Sequence, residues 1–115
     1  MIKTHIIVDF YKANRVILAR TEDLRAALER AILSLNVRVC NDNYIQFEPE
    51  GATATVVTET FHFSIHIWPE YYSCTVDLYS SQDATYASNV AEALKQELLA
   101  QEYDLKILPR FAKQS

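Results

Sequence analysis

The 115-residue chain is short of the residues that most often announce a function. It holds one glycine, Gly51, which excludes every glycine-rich phosphate loop, since both the P-loop and the dinucleotide fingerprint need several. Its two cysteines, Cys40 and Cys74, form no CxxC pair, and with three histidines they make neither a disulfide framework nor an evident zinc site. Basic residues do not predominate: Lys and Arg total 11 against 15 Asp and Glu, a net charge of -4, which argues against a nucleic-acid binder needing a basic face. No apolar run approaches the roughly 18 residues of a membrane span, and the N-terminus lacks a signal-peptide pattern, so a cytoplasmic protein with no membrane partner is expected. Only three prolines and 11% aromatic residues make disorder a poor description.

What is present is apolar mass, 50% of residues, enough for one domain spanning 1–115. The β-branched run His5–Phe10 reads as a buried strand, and Tyr11–Arg20 as a connection. Thr21 can cap a helix with Glu22 and Asp23 in its first turn, and Leu24, Ala27, Leu28, Ala31, Ile32 and Leu35 form its apolar face up to Asn36. Val37–Cys40 alternates as a strand, Asn41-Asp42-Asn43 is turn chemistry, and Tyr44–Phe47 reads as a second short strand. After the loop Glu48–Ala52 come strands Thr53–Thr60, His62–Trp68 and Ser73–Tyr79, the last two separated at Pro69-Glu70. Asp83 caps a second helix with Tyr86, Val90, Ala93, Leu94 and Leu98 on its apolar face, and strand Tyr103–Leu108 precedes a tail from Pro109 to Ser115. The expected fold is α+β, a two-layer α/β sandwich whose antiparallel sheet carries two helices on one face.

Polar and aromatic residues are densest in Thr60–Glu70. Strand alternation places Phe61, Phe63, Ile65 and Ile67 on one face, and His62, Ser64, His66 and Trp68 on the other. His66 has the chemistry of a general acid or base, Trp68 and Phe47 can stack on a flat ring, and Glu70 can accept hydrogen bonds from sugar hydroxyls. The plainer reading is a solvent-facing strand surface, with His66 a hydrogen-bonded sheet residue, packing aromatics and a solvated Glu70. Both cysteines read most simply as small buried hydrophobes.

Three segments, His5–Tyr11, Phe47-Glu48-Pro49-Glu50-Gly51 and His62–Tyr71 running on to Val76-Asp77-Leu78-Tyr79, resemble the small bacterial and archaeal class of S-adenosylmethionine decarboxylase. Ile65-His66-Ile67-Trp68-Pro69-Glu70-Tyr71 is the most specific of these strings. The resemblance implies a proenzyme in which a Ser, in a Glu-Ser-His context, cleaves its own chain and leaves a pyruvoyl group. That group replaces pyridoxal phosphate or a metal in decarboxylation on the route to spermidine. It also implies a dimer with substrate sites near the interface. His66 falls on the His that assists processing, Thr53 on a processing Ser, and Phe47, Trp68 and Glu70 on substrate-binding positions for adenine and ribose. Ser81 falls on the proton-donating Cys.

The self-cleaving Ser itself is replaced by Phe61, which has neither a nucleophile nor a β leaving group. The expected pyruvoyl group is therefore absent, and no other cofactor or metal is implied. Thr60, after Glu59, could substitute only in a slipped register, which is expected to turn it to the opposite sheet face. The expected function is binding of S-adenosylmethionine or a related nucleoside without decarboxylation. The alternatives are C–S bond lysis to methylthioadenosine, with His66, Glu59 and Tyr72 as available bases; a non-catalytic subunit in a heterodimer with an active homologue; and decarboxylation by the Thr60 route. A homodimer is the expected assembly.

Overall fold

The computed structural model describes residues 2–110. Six strands form one antiparallel sheet: β1 (Thr4–Tyr11), β2 (Val39–Gln46), β3 (Ala52–Thr58), β4 (Phe61–Trp68), β5 (Ser73–Ser80) and β6 (Glu102–Pro109), in the spatial order β2-β3-β4-β5-β1-β6. Helices α1 (Arg15–Ala19), α2 (Thr21–Ser34) and α3 (Ala84–Leu98) complete the α+β sandwich. α2 packs on α3, and both touch sheet strands. The core lies between them and the sheet, where Ile6, Val8 and Phe10 of β1 meet Phe61, Phe63 and Ile65 of β4 and Leu24, Leu28 and Leu94 of the helices. Each fully buried side chain of this size is worth on the order of 1.5–3 kcal/mol. The strict in-out alternation of β4 follows from having one covered and one open face.

Four expectations need correction. Cys74 is buried as expected, but Cys40 is exposed, because it lies on edge strand β2 and points away from the core. The connection Tyr11–Arg20 contains a third helix, α1, whose start is capped by Asn14: its Oδ1 accepts from the Ile17 N–H at 3.1 Å. Its five residues are too few to display helical periodicity. Asn41-Asp42-Asn43 is not a turn but the middle of edge strand β2, which bulges between Val39 and Asn41. Residues of turn character survive there because Arg25 of α2 donates to Asp42 at 2.7 Å and lies 5.0 Å over the Tyr44 ring. Thr21 is the first helical residue and not the cap, and its free N–H donates to the Gln46 side-chain oxygen at 2.8 Å. The Asp83 cap is present, with Oδ1 accepting from the Tyr86 N–H at 2.9 Å. The expected tail beyond Pro109 lies, from residue 111 on, outside the described residues.

The sheet's other face is open. His5, Tyr79 and His62 stand in one cross-strand row, with centroids 4.2 and 5.1 Å apart along the stack. Asp9 shares this face with Asp104 and Asp77; burial first, then those two charges, push its carboxyl above the ordinary value. Among the described residues no helix is long and apolar enough to cross a membrane, and no group of three His, Cys, Asp or Glu is placed to hold a metal.

Candidate functional site

The loop from Phe47 to Gly51 folds back on itself, with the Phe47 N–H donating to the Gly51 carbonyl at 2.8 Å. Gly51 has φ +101°, and a Cβ there would stand 3.4 Å from both the Ile67 carbonyl and Pro69 Cδ. The chain's only glycine is therefore spent where the backbone conformation demands it, while a Cβ there would meet its neighbours only at ordinary contact distance. Gln46 ties this loop to the helices: its amide nitrogen lies within 3.0 Å of the carbonyls of Ala19, Phe47 and Gly51. Opposite, β4 ends at Trp68, Pro69 starts a 3₁₀ turn over Pro69–Tyr71, and Tyr72 reverses the chain in the left-handed region.

These elements enclose a cleft of about 250 Å³ lined by Phe47, Glu50, Thr53, His66, Trp68 and Glu70, with Ile67 and Pro69. Thr53 and His66 are register partners across β3 and β4, and Thr53 Oγ1 lies 3.2 Å from His66 Nδ1. The His66 and Trp68 rings are 6.4 Å apart. Phe47 is 49% and Trp68 42% exposed, so two large apolar surfaces flank one polar-floored cleft. Such a pairing suits a flat, partly polar ligand.

Phe61 and Ser81 lie elsewhere: Phe61 opens β4 after the β3–β4 turn, and Ser81 follows β5 and hydrogen-bonds to that turn. The Phe61 ring is buried on the helix side, 6.2 Å from Phe63 and 6.3 Å from Tyr86 between centroids. Thr58 Oγ1 fixes the turn by donating to the Phe61 carbonyl at 2.8 Å and accepting from the Phe61 N–H at 3.1 Å. The carbonyl of Thr60, immediately before Phe61, receives the Ser81 N–H at 3.0 Å, the Ser81 hydroxyl at 3.2 Å and the Ser80 hydroxyl at 3.3 Å. That is a polarised carbonyl, the electrophile a chain-cleaving hydroxyl would attack. His66 is five residues along the same strand from Phe61, roughly 17 Å, and on the other face. One chain therefore does not bring His66 and Thr53 together with Phe61 and Ser81.

Thr60 also departs from expectation. It lies in the turn, not the strand, and its hydroxyl is 2.8 Å from the Tyr86 hydroxyl, on the same helix side as the Phe61 ring. Face alternation therefore does not exclude it. Of the other bases considered, Glu59 is at this far end, while Tyr72 follows the turn that carries Glu70. Sequence reasoning passed over Ser80, Gln46 and Glu50. A second hydroxyl beside Ser81 was the available signal for Ser80, whereas Gln46 and Glu50 act through tertiary contacts that no local pattern encodes.

The profile of the family described as S-adenosylmethionine decarboxylase matches residues 4–111. The chain belongs to that family. It is 34% identical over 106 residues to the S-adenosylmethionine decarboxylase proenzyme of Aquifex aeolicus, covering 92% of this chain and 78% of that one. To the proenzyme of the same name from Hydrogenobaculum it is 32% identical over 106 residues, covering 92% and 79%. Among solved structures, the adenosylmethionine decarboxylase of Aquifex aeolicus superposes with a TM-score of 0.85 at 32% identity, over 98% of this chain and 93% of that one. A pyruvoyl group does not fit the residues present at position 61 of this S-adenosylmethionine decarboxylase homologue: the side chain is a buried benzyl group with no hydroxyl from which the group could be made.

Proposed function

We propose that this chain binds S-adenosylmethionine or a closely related adenine nucleoside in the Phe47–Trp68–Glu70 cleft and does not decarboxylate it. The observation that supports this reading is that Phe47, Trp68 and Glu70, to which the resemblance gives nucleoside contact, line one cleft, while Phe61, which it aligns with the self-cleaving position, is a packed ring. In this reading Phe47 and Trp68 stack on the base and Glu70 accepts hydrogen bonds from the ribose. The Thr53–His66 pair supplies polar contacts on the cleft floor. Calorimetry with S-adenosylmethionine, together with an intact mass, tests it. Measurable binding to a single chain of 13.2 kDa, with no release of carbon dioxide, is expected. Absence of both heat and a melting shift at millimolar ligand overturns it.

A second reading is favoured by the Thr60–Tyr86 contact, in which the Thr60 hydroxyl opens the chain after Glu59. The same intact mass separates the two, since this reading requires two fragments meeting between residues 59 and 60.

The proposal includes a homodimer. What supports it is the position of His66. If His66 serves the scission end as the family pattern implies, it cannot do so within its own chain, where roughly 17 Å and a sheet separate it from residue 61. In this reading a second copy supplies it.

A further inference from the structure

Glu50 is a second carboxylate of the cleft besides Glu70, yet it does not face the ligand space alone. The Arg15 guanidinium, at the start of α1, donates to its carboxylate and lies 5.9 Å over the Tyr72 ring. One arginine thus joins the loop on one side of the cleft to the chain leaving the 3₁₀ turn on the other. The same ends are joined through backbone, since the Ala13 N–H donates to the Tyr72 carbonyl at 2.9 Å and the Gly51 N–H to the Ala19 carbonyl at 3.0 Å. Its hydrogen bond to Glu50, and then its contact with Tyr72, push the Arg15 guanidinium above its ordinary value, so it stays charged. The Glu50 side chain is 24% exposed and that of Arg15 46%, so the acid is the more sheltered partner and its charge is cancelled at the cleft wall.

Resting on the nucleoside reading above, we propose that Arg15 sets the charge selectivity of the cleft: by neutralising Glu50 it holds down the preference for a cationic sulfonium nucleoside over a neutral thioether one. A sulfonium and its thioether differ by one methyl group and one positive charge. Base stacking and ribose contacts treat them nearly alike; the charge, read by the local field and the aromatic faces, and the extra methyl group separate them. With Glu50 neutralised, Glu70 is the lining carboxylate with no ion pair among the described residues. Releasing Glu50 adds an attraction that acts on the sulfonium alone. At the effective dielectric of a partly exposed site and a separation of several ångströms, this amounts to about a three- to tenfold change in the affinity ratio.

The test measures dissociation constants for S-adenosylmethionine and S-adenosylhomocysteine on the full chain, for the unmodified protein, Arg15→Gln, Glu50→Gln and the double variant. Because the readout is a ratio within each variant, a loosened cleft that weakens both ligands does not move it. Arg15→Gln is expected to raise the sulfonium preference about three- to tenfold, Glu50→Gln to lower it, and the double variant to return it close to the starting ratio. The gain in Arg15→Gln should shrink as salt is raised. An unmoved ratio in Arg15→Gln, or a shift that persists when Glu50 is also removed, overturns the inference while leaving the nucleoside reading intact. Failure of the unmodified protein to bind either compound overturns both.

Discussion

Phe61→Ser is the substitution that interrogates the scission end of the molecule most directly. It returns a hydroxyl next to a carbonyl already held by the Ser81 N–H and the Ser80 and Ser81 hydroxyls. It also removes a ring that is 2% exposed and packed on Phe63 and Tyr86. Truncating a buried Phe costs about 3–5 kcal/mol, a large part of the 5–15 kcal/mol that stabilises a typical domain. The variant should therefore be prepared and incubated at reduced temperature, with its fold checked by circular dichroism. Phe61→Ala is the matched control, because it loses the same packing without gaining a nucleophile. The expected intact masses are one chain for the unmodified protein and for Phe61→Ala, and two fragments meeting between residues 60 and 61 for Phe61→Ser. If Phe61→Ser is folded and stays whole through long incubation, the Thr60 carbonyl is not primed and the nucleophile is not the one missing part. If the unmodified chain is already cut there, the reading of Phe61 as the lesion is wrong.

Four further outcomes follow from the same geometry. Trp68→Ala should weaken nucleoside binding by about 1–3 kcal/mol, the worth of one base–aromatic stack, with little change in melting temperature because the ring is 42% exposed; calorimetry and a thermal melt read the two separately. Gln46→Ala removes a side chain that accepts from the Thr21 N–H and donates to the loop carbonyls, so a loss of about 1–3 kcal/mol in urea unfolding is expected, with weaker ligand binding. Burial pushes the Cys74 thiol and, assisted by Asp42, the Tyr44 phenol up to about 12 from ordinary values of 9.0 and 10.0. The folded state holds these protons more tightly than the unfolded one, so that contribution to stability is complete below about pH 9 and drains away as pH rises towards 12, which urea midpoints across this range would show. Native protein should also show one reactive thiol, the exposed Cys40, and two only in denaturant.

The fold was largely legible because its main signals are periodic. β4 alternates without a fault, and the apolar stripes of α2 and α3 repeat at helical spacing, so strands, long helices and the covered face could be read from residue type alone. The failures share one cause, a local preference overridden by a distant partner. Asn41-Asp42-Asn43 has turn chemistry but is held in a strand by β3 and by Arg25, and Thr21 is relieved of capping by Gln46, 25 residues away. At the cleft, Phe47, Thr53, His66, Trp68 and Glu70 were named individually, and alternation could say which of the β4 residues share a face. It could not say that Phe61 and Ser81 belong to the opposite end, because that depends on where the β3–β4 turn falls. Arg15 gave no signal at all: its contacts with Glu50 and Tyr72 exist only once α1 has docked.

The separation of the two ends makes their relation testable across chains. In the proposed reading Phe61 stands where the family pattern has a hydroxyl, and its buried ring adds apolar burial on the covered face, a change that would favour stability where it removes chemistry. Nothing in that exchange disturbs the cleft on the open face, so His66 could persist in a chain with no scission of its own to assist. A chain carrying both Phe61→Ser and His66→Ala has the nucleophile and the polarised carbonyl but no imidazole. Alone it should remain whole, or cut at least about a hundredfold more slowly than Phe61→Ser, the lower bound of a general acid–base contribution being about 10². Co-expressed with the unmodified chain, which has His66 but cannot cut itself, the double variant should be cleaved again, and a mass tag on one chain identifies which polypeptide was opened. Rescue in the mixture requires that one copy's cleft reach the other copy's turn. A double variant that cleaves as fast alone as in the mixture would show that His66 takes no part, and one that is never rescued would show that the copies do not meet in that way.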